Sequence, residues 1–111
     1  MSSAVASWYA GTTRQVVTTV KDIQGQLVPL TGATAKFVMV KCLGDEVLVT
    51  KTVGAGIMLD TETSKVTVDI APADTASLLG DHQMQLEITL ASGVVIMAYD
   101  AVVSIKRNYT G

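Results

Sequence analysis

The stretch His82-Gln-Met-Gln-Leu-Glu-Ile-Thr-Leu90, followed by Ala91-Ser-Gly93 and by Val94-Val-Ile-Met-Ala-Tyr-Asp-Ala-Val-Val-Ser-Ile105, decides the fold of this chain. Its first part alternates apolar and polar residues, a period typical of a strand with one buried face and one solvated face. Gly93 can adopt the positive φ that a tight reversal needs. The stretch therefore predicts a β-hairpin whose first strand directs Met84, Leu86, Ile88 and Leu90 into the core.

The second strand of this hairpin is apolar on both faces. Strict alternation puts Val95, Met97, Tyr99, Ala101, Val103 and Ile105 on one face, and Val94, Ile96, Ala98 and Val102 on the other. We expect the first set to belong to the core, so the second set needs a cover from the N-terminal arm or from a neighbouring subunit. Val94, Ile96 and Val102 are thus candidate interface residues, and Ile96→Asp is expected to spare the fold but abolish assembly.

Further short segments of the same character occupy the rest of the chain. The predicted strands include residues 12–21, 33–42, 46–53, 57–59 and 65–71. Pro72–Leu79 is the one candidate helical turn, since proline suits the first positions of a helix. About seven short strands, frequent turns and no βαβ alternation predict an all-β fold, an antiparallel immunoglobulin-like β-sandwich, with a small barrel as the alternative.

The 111 residues suffice for one domain, predicted to span residues 12–107 between an arm of residues 1–11 and a tail of residues 108–111. The arm carries Trp8 and Tyr9, which are candidate interface residues because such aromatics often anchor contacts between subunits. The alternative is that the arm folds back and its aromatics close one end of the core.

The composition favours a protein whose surface is partly covered by other proteins. Hydrophobic residues make up 49% of the chain and charged residues only 16%, below the usual quarter. A small domain has too little interior to bury so many apolar residues, so we expect another chain to cover some apolar surface. The alternative is a monomer with little surface charge. The net charge is −2 and the charges are scattered, which excludes the basic field that nucleic-acid binding needs.

The sequence contains no recognisable catalytic, metal or cofactor site. His82 is the only histidine and is expected in a partly exposed turn, without a nucleophile paired to it. Cys42 is the only cysteine, so it forms no internal disulfide and is expected in the core of a protein that folds in a reducing cytoplasm. We therefore expect no enzyme activity, no cofactor, no metal and no small-molecule substrate.

Neither the first residues nor the apolar runs of the chain indicate a membrane protein. The first residues lack the positive and apolar regions of a signal peptide. The longest strongly apolar run, Val94–Tyr99, is far too short to span a bilayer. We accordingly expect no membrane partner.

Three motifs occur in a fixed order along the chain. Residues 22–33 read D-x-x-G-x-x-x-x-L-T-G-A, residues 74–78 read D-T-x-x-L, and residues 86–89 read L-E-I-T. In these motifs, over about residues 12–106, the chain resembles the immunoglobulin-like domain that begins the baseplate upper proteins of tailed phages, and related small phage virion proteins. It departs from that pattern at His82 and Met84, where aromatics are common, and at Asp100, where a glycine is expected.

The resemblance implies a fold and a setting. It implies a non-enzymatic structural protein made in the bacterial host cytoplasm and located in the virion, on the tail, baseplate, neck or capsid. The motif residues also have a physical interpretation, in which Leu30 caps the core, Thr75 hydrogen-bonds locally and Leu78 plugs one end of the sandwich. Its partners would be other virion proteins, copies of itself, or both. The alternative is a module that binds carbohydrate or a host surface, for which the candidate aromatics are Trp8, Tyr9 and Tyr109.

Overall fold

The computed structural model of the chain describes residues 6–42, 44 and 46–110. Residues 1–5 of the predicted arm and Gly111 of the predicted tail lie outside this part. The described residues form β1 (Ala6–Tyr9), β2 (Arg14–Thr19), β3 (Thr34–Lys41), β4 (Val47–Val53), β5 (Gly56–Asp60), β6 (Lys65–Ile70), α1 (Pro72–Thr75), β7 (Gly80–Thr89) and β8 (Val95–Lys106). Strands account for 59% and helix for 4%, so the all-β prediction and the single helical turn are confirmed.

The strands form one curled sheet in the order β1-β8-β7-β3-β4-β5-β6-β2. β1 pairs with β8, and β4 with β5, in parallel; the other neighbours are antiparallel. The fully antiparallel arrangement expected from the sequence is therefore wrong at two places. At β4–β5 the reason is a tight bend, in which Ala55 N donates to Thr52 O at 2.9 Å and Gly54 has a φ of 85°. The chain turns a corner there without reversing direction.

The hairpin of β7 and β8 is confirmed. Leu90 N donates to Val94 O and Gly93 N donates to Leu90 O, both at 2.8 Å, and Gly93 has a φ of 93°. Met84, Leu86 and Ile88 are fully buried, as the alternation predicted. The first strand of the hairpin is thus one wall of the core.

A β-bulge changes the faces of β8. Leu86 lies opposite Tyr99 and the next residue, Glu87, lies opposite Met97, so Ala98 is an extra residue in β8. One extra residue moves every side chain on one side of it to the other face. From Tyr99 to Ile105 the predicted faces hold, but those of Val95, Ile96 and Met97 are reversed. Ile96 packs against the core, whereas Val95 lies outside.

The core lies inside the curl of the sheet. Its largest fully buried side chains include Phe37, Met39, Met84, Leu86 and Ile88 from β3 and β7, and Val66, Val68 and Ile70 from β6. Each such side chain contributes roughly 1.5–3 kcal/mol on burial. Phe37 is central to this core, and Leu30 is also buried there. Leu78 is half-buried against this cluster.

The structure corrects the environments expected for three polar or small residues. His82 is buried rather than partly exposed, because it shares the alternation that buries Met84, and its Nδ1–H donates to Gly80 O at 3.0 Å. The Thr75 hydroxyl accepts a hydrogen bond from Gly11 N at 3.0 Å, so the hydrogen bond observed joins distant parts of the chain and is not the local one expected. Cys42 is half-buried, because it lies just beyond the end of β3.

The turn between β5 and β6 contains a carboxylate, that of Asp60, whose contribution to stability depends on pH. Hydrogen bonds from the Thr63 side chain and backbone hold the pKa of Asp60 below its ordinary value of 3.8, since they favour the ionised carboxylate. What this carboxylate contributes to stability is therefore present above its unfolded-state pKa and is lost as the pH falls through the lowered pKa.

We expect an NMR titration of Asp60 to give a midpoint below 3.8, and Thr63→Val to move that midpoint upward. Thr61→Val changes the adjacent turn position in the same way and should leave the midpoint in place. A Thr63→Val variant with the wild-type midpoint would contradict this assignment.

Candidate interaction site

The arm places its two aromatics on opposite sides of β1. Trp8 lies opposite Ile105, is only 5% exposed and joins the core. The Arg14 guanidinium lies 6.0 Å from the centre of the indole ring and covers it from outside. Trp8 therefore closes one end of the core and is not available to a neighbouring subunit, whereas Tyr9 is 51% exposed.

Of the three strand residues predicted at the interface, only Val94 is well exposed. Ile96 packs against the core, and Val102 is buried, although it is not part of the main core cluster. Val95 and Met97, which were expected inside, are instead 57% and 49% exposed. Val94, Val95 and Met97 are exposed apolar side chains at the hairpin end, and we name them the hairpin patch.

Polar groups border the hairpin patch. On the outer face of the sheet Met97 lies opposite Glu87, and Glu87 lies opposite Lys36 on the next strand. Beside them is a shallow groove of about 200 Å³, which Val38 and Gln85 also line. An apolar centre with a polar rim is typical of surfaces that contact other proteins.

A second surface lies where the tail leaves β8. Tyr9 and Tyr109 line a recess of about 400 Å³ together with Thr12, Arg107, Asn108 and Thr110. Both tyrosines are well exposed. We name this surface the tyrosine recess. Exposed aromatic rings beside hydrogen-bonding groups can stack on a flat ligand such as a sugar ring.

Among the described residues that line them, neither surface contains a histidine or a cysteine. Within residues 6–42, 44 and 46–110, no three His, Cys, Asp or Glu side chains are grouped so that they could hold a metal ion. His82 is buried, and its Nδ1–H donates to the carbonyl oxygen of Gly80. The one ion pair in the same ranges, Lys51 Nζ to Asp74 Oδ2 at 2.7 Å, connects β4 to α1. The exposed apolar and aromatic side chains of both surfaces are suited to binding.

No helix in the described part of the chain has the length and apolar character needed to cross a bilayer.

The sequence did not reveal Val95 and Met97 as surface residues, and the reason is local. β8 is apolar on both faces, so its pattern contains no contrast that would show where the faces are exchanged. Asp100 is the only charged residue between Val94 and Ile105, and it lies on the outer face opposite Gln85. Alternation that starts from Asp100 on the outer face predicts the faces of the C-terminal part of β8 correctly. Only the pairing with β7 reveals the extra residue at Ala98.

Comparison of the chain with models of known protein families found no match, and a search of curated proteins found none. The function must therefore be inferred from the chain's own residues.

Proposed function

We propose that this protein is a non-enzymatic structural component of a tailed-phage virion that docks in multiple copies on other virion proteins. The observation that carries this proposal is the hairpin patch, an exposed apolar surface on a chain whose motifs resemble those of small phage virion proteins. Val94, Val95 and Met97 would be covered in the particle and not left in water.

The first of the three motifs has a structural role in this chain, which supports the family likeness. In the first motif Asp22 Oδ1 accepts hydrogen bonds from Gln24 N and Gln26 N, both at 2.9 Å. Gly25, with a φ of 82°, donates its N–H to Asp22 O at 2.9 Å. The spacing D-x-x-G therefore closes one turn, and the same spacing would close the same turn in a relative.

An immunoglobulin-like sandwich is part of the proposal. The corner at residues 54–56 divides the curled sheet into one group of β1, β8, β7, β3 and β4 and another of β5, β6 and β2. Side chains from both groups meet in one core, for example Phe37 from the first and Val68 from the second. Two packed groups of strands around a shared core are what a sandwich requires.

Docking through the hairpin patch would require more than its own apolar side chains. Stable protein contacts bury about 800 Å² on each partner. The groove beside Met97, with Lys36 and Glu87 at its border, extends the surface and supplies one charge of each sign. Complementary charges on a partner would set its orientation, while the apolar centre would supply most of the affinity.

The proposal is tested by mass spectrometry of particles purified from the phage or induced prophage that encodes this chain. We expect the protein in the particles at a constant ratio to the tail or capsid proteins. If purified, infectious particles contain the tail and capsid proteins but not this chain, the proposal is wrong.

The tyrosine recess favours a second candidate function, the binding of carbohydrate or a host surface. Its support is the presence of two exposed tyrosines, Tyr9 and Tyr109, around one recess with Arg107 at its border. Trp8, the third aromatic considered for this role, is in the core. Glycan-array binding that Tyr109→Ala removes would favour this candidate, and an array without any bound glycan would exclude carbohydrate as the ligand.

A further inference from the structure

β2 ends the sheet, and one of its sides has no partner strand among the described residues. Val20 N donates to Ser64 O at 2.8 Å, and Val20 continues the register in which Thr19 lies opposite Lys65. The N–H and C=O groups of successive residues in a strand alternate between its two sides. Those of Gln15, Val17 and Thr19 therefore point away from β6, toward the free side.

This edge lacks the devices that usually block pairing with another chain. Natural edge strands are protected by lysine, by proline, by bulges or by being very short. β2 contains neither lysine nor proline, and its register with β6 is unbroken over all six residues. The opposite edge of the sheet, β1, is only four residues long. The one charged residue of β2, Arg14, is its first residue and contacts Ser7 O at 3.2 Å and the Trp8 ring.

The edge is complementary to itself. If two copies of β2 run antiparallel about a twofold axis at Val17, Gln15 of each copy lies opposite Thr19 of the other. The residues whose backbone groups point outward then meet only one another. Each of them can donate one hydrogen bond and accept one, as in an ordinary antiparallel ladder.

The side chains beside the edge also fit a second copy. On the outer face Val17 lies opposite Thr67, and Thr67 lies opposite Met58, so these residues form a row across three strands. Val17 and Met58 are both more than half exposed. The twofold axis would place the two Val17 side chains beside each other and join the two rows into one row that carries the exposed Val17 and Met58 of both copies.

The charges of the flanking rows are compatible with the same axis. Asp69 lies opposite Gln15, whose Nε2 donates to Asp69 Oδ1 at 2.8 Å, and Lys65 lies opposite Thr19. Antiparallel pairing would place Asp69 of one copy and Lys65 of the other at the two ends of the same row. Like charges would not face each other across the junction, and like charges are what normally prevents such pairing.

From these observations we propose that two copies of the chain pair through the free edge of β2, antiparallel about Val17, into one continuous sheet. The pairing identifies which surface joins copies of the chain and is independent of the proposed role in a virion.

Light scattering coupled to size-exclusion chromatography, over a range of concentrations, tests the proposal with two matched variants. Wild type should approach the mass of two chains as the concentration rises. Val17→Lys places a charge on the edge and should raise the dissociation constant at least about tenfold. Met58→Lys places the same charge on the same face, two strands from the edge, and should change it far less.

Two results would overturn the proposal. One is a wild-type mass of a single chain at every concentration. The other is loss of the pair in Met58→Lys but not in Val17→Lys, because that result would assign the contact to the face of the sheet.

Amide hydrogen exchange on the wild type tests the same pairing without a variant that could unfold. The amides of Gln15, Val17 and Thr19 should become protected as the concentration rises, whereas those of Val16 and Thr18, which face β6, should be protected throughout. If the mass doubles and the outward-facing amides still exchange freely, the copies meet elsewhere and the edge assignment is wrong.

Discussion

Replacing Trp8 by alanine is expected to lower the free energy of unfolding by about 3–5 kcal/mol, the usual range for truncating a buried Trp to alanine. Trp8 is buried at one end of the core, opposite Ile105. The truncation opens a cavity there and also removes the ring on which the Arg14 guanidinium lies. β1 is short and depends on this side chain to hold it against β8. The measurement is urea unfolding followed by circular dichroism.

Tyr9→Ala is the matched control, because Tyr9 is the adjacent aromatic of the same strand and is half exposed. We expect it to change the free energy of unfolding by less than about 0.5 kcal/mol, the usual limit for surface substitutions. A Trp8→Ala variant as stable as wild type would show that the indole ring does not belong to the core in solution. It would then favour an arm that reaches a neighbouring subunit.

Ile96→Asp is expected to destabilise the fold by about 3 kcal/mol or more, since it introduces a charge on the side of β8 that packs against the core. This result is the opposite of what alternation along β8 predicts. The bulge at Ala98 is the reason, because it moves Ile96 to the inner face opposite Ile88.

Val95→Asp makes the same kind of change one residue away, on the outer face opposite Thr89. Because Val95 is exposed, we expect it to cost less than about 1 kcal/mol, the span of strand propensities. In a phage that tolerates the change, it should also reduce the amount of this protein in purified particles, since it places a charge in the hairpin patch. If Val95→Asp unfolds the chain and Ile96→Asp does not, the faces of β8 are the reverse of those described.

Part of the fold was predictable because it depends on local patterns. Met84, Leu86 and Ile88 alternate with polar residues, so a single strand with one wet face explains all of them. The same alternation extends to His82 and predicts that it is buried. This prediction was missed because a histidine after Gly80-Asp81 resembles a turn residue. Gly93 allowed the hairpin turn to be placed, since positive φ is strongly unfavourable for most other residues.

The candidate site was less predictable because it depends on pairing across strands. Val94, expected on the face that needs a cover, is exposed, whereas Val95 and Met97 were expected in the core, and Ile96 was assigned to the wrong face. Nothing in an apolar segment with two similar faces indicates which side is covered. The environment of Trp8 was likewise open, because an isolated aromatic before the first patterned strand can close its own core or anchor a contact.

The sequence by itself determined that this chain is all-β, where its main hairpin turns, and that Met84, Leu86 and Ile88 of β7 enter the core. These properties follow from periodicity and turn chemistry, which act over a few residues. Only the tertiary structure decided that β1 joins β8 in parallel, that Ala98 forms a bulge, and that β2 is the last of the described strands at one edge of the sheet. These properties depend on which distant backbone groups pair, because a strand's hydrogen-bonding partners lie outside its own sequence.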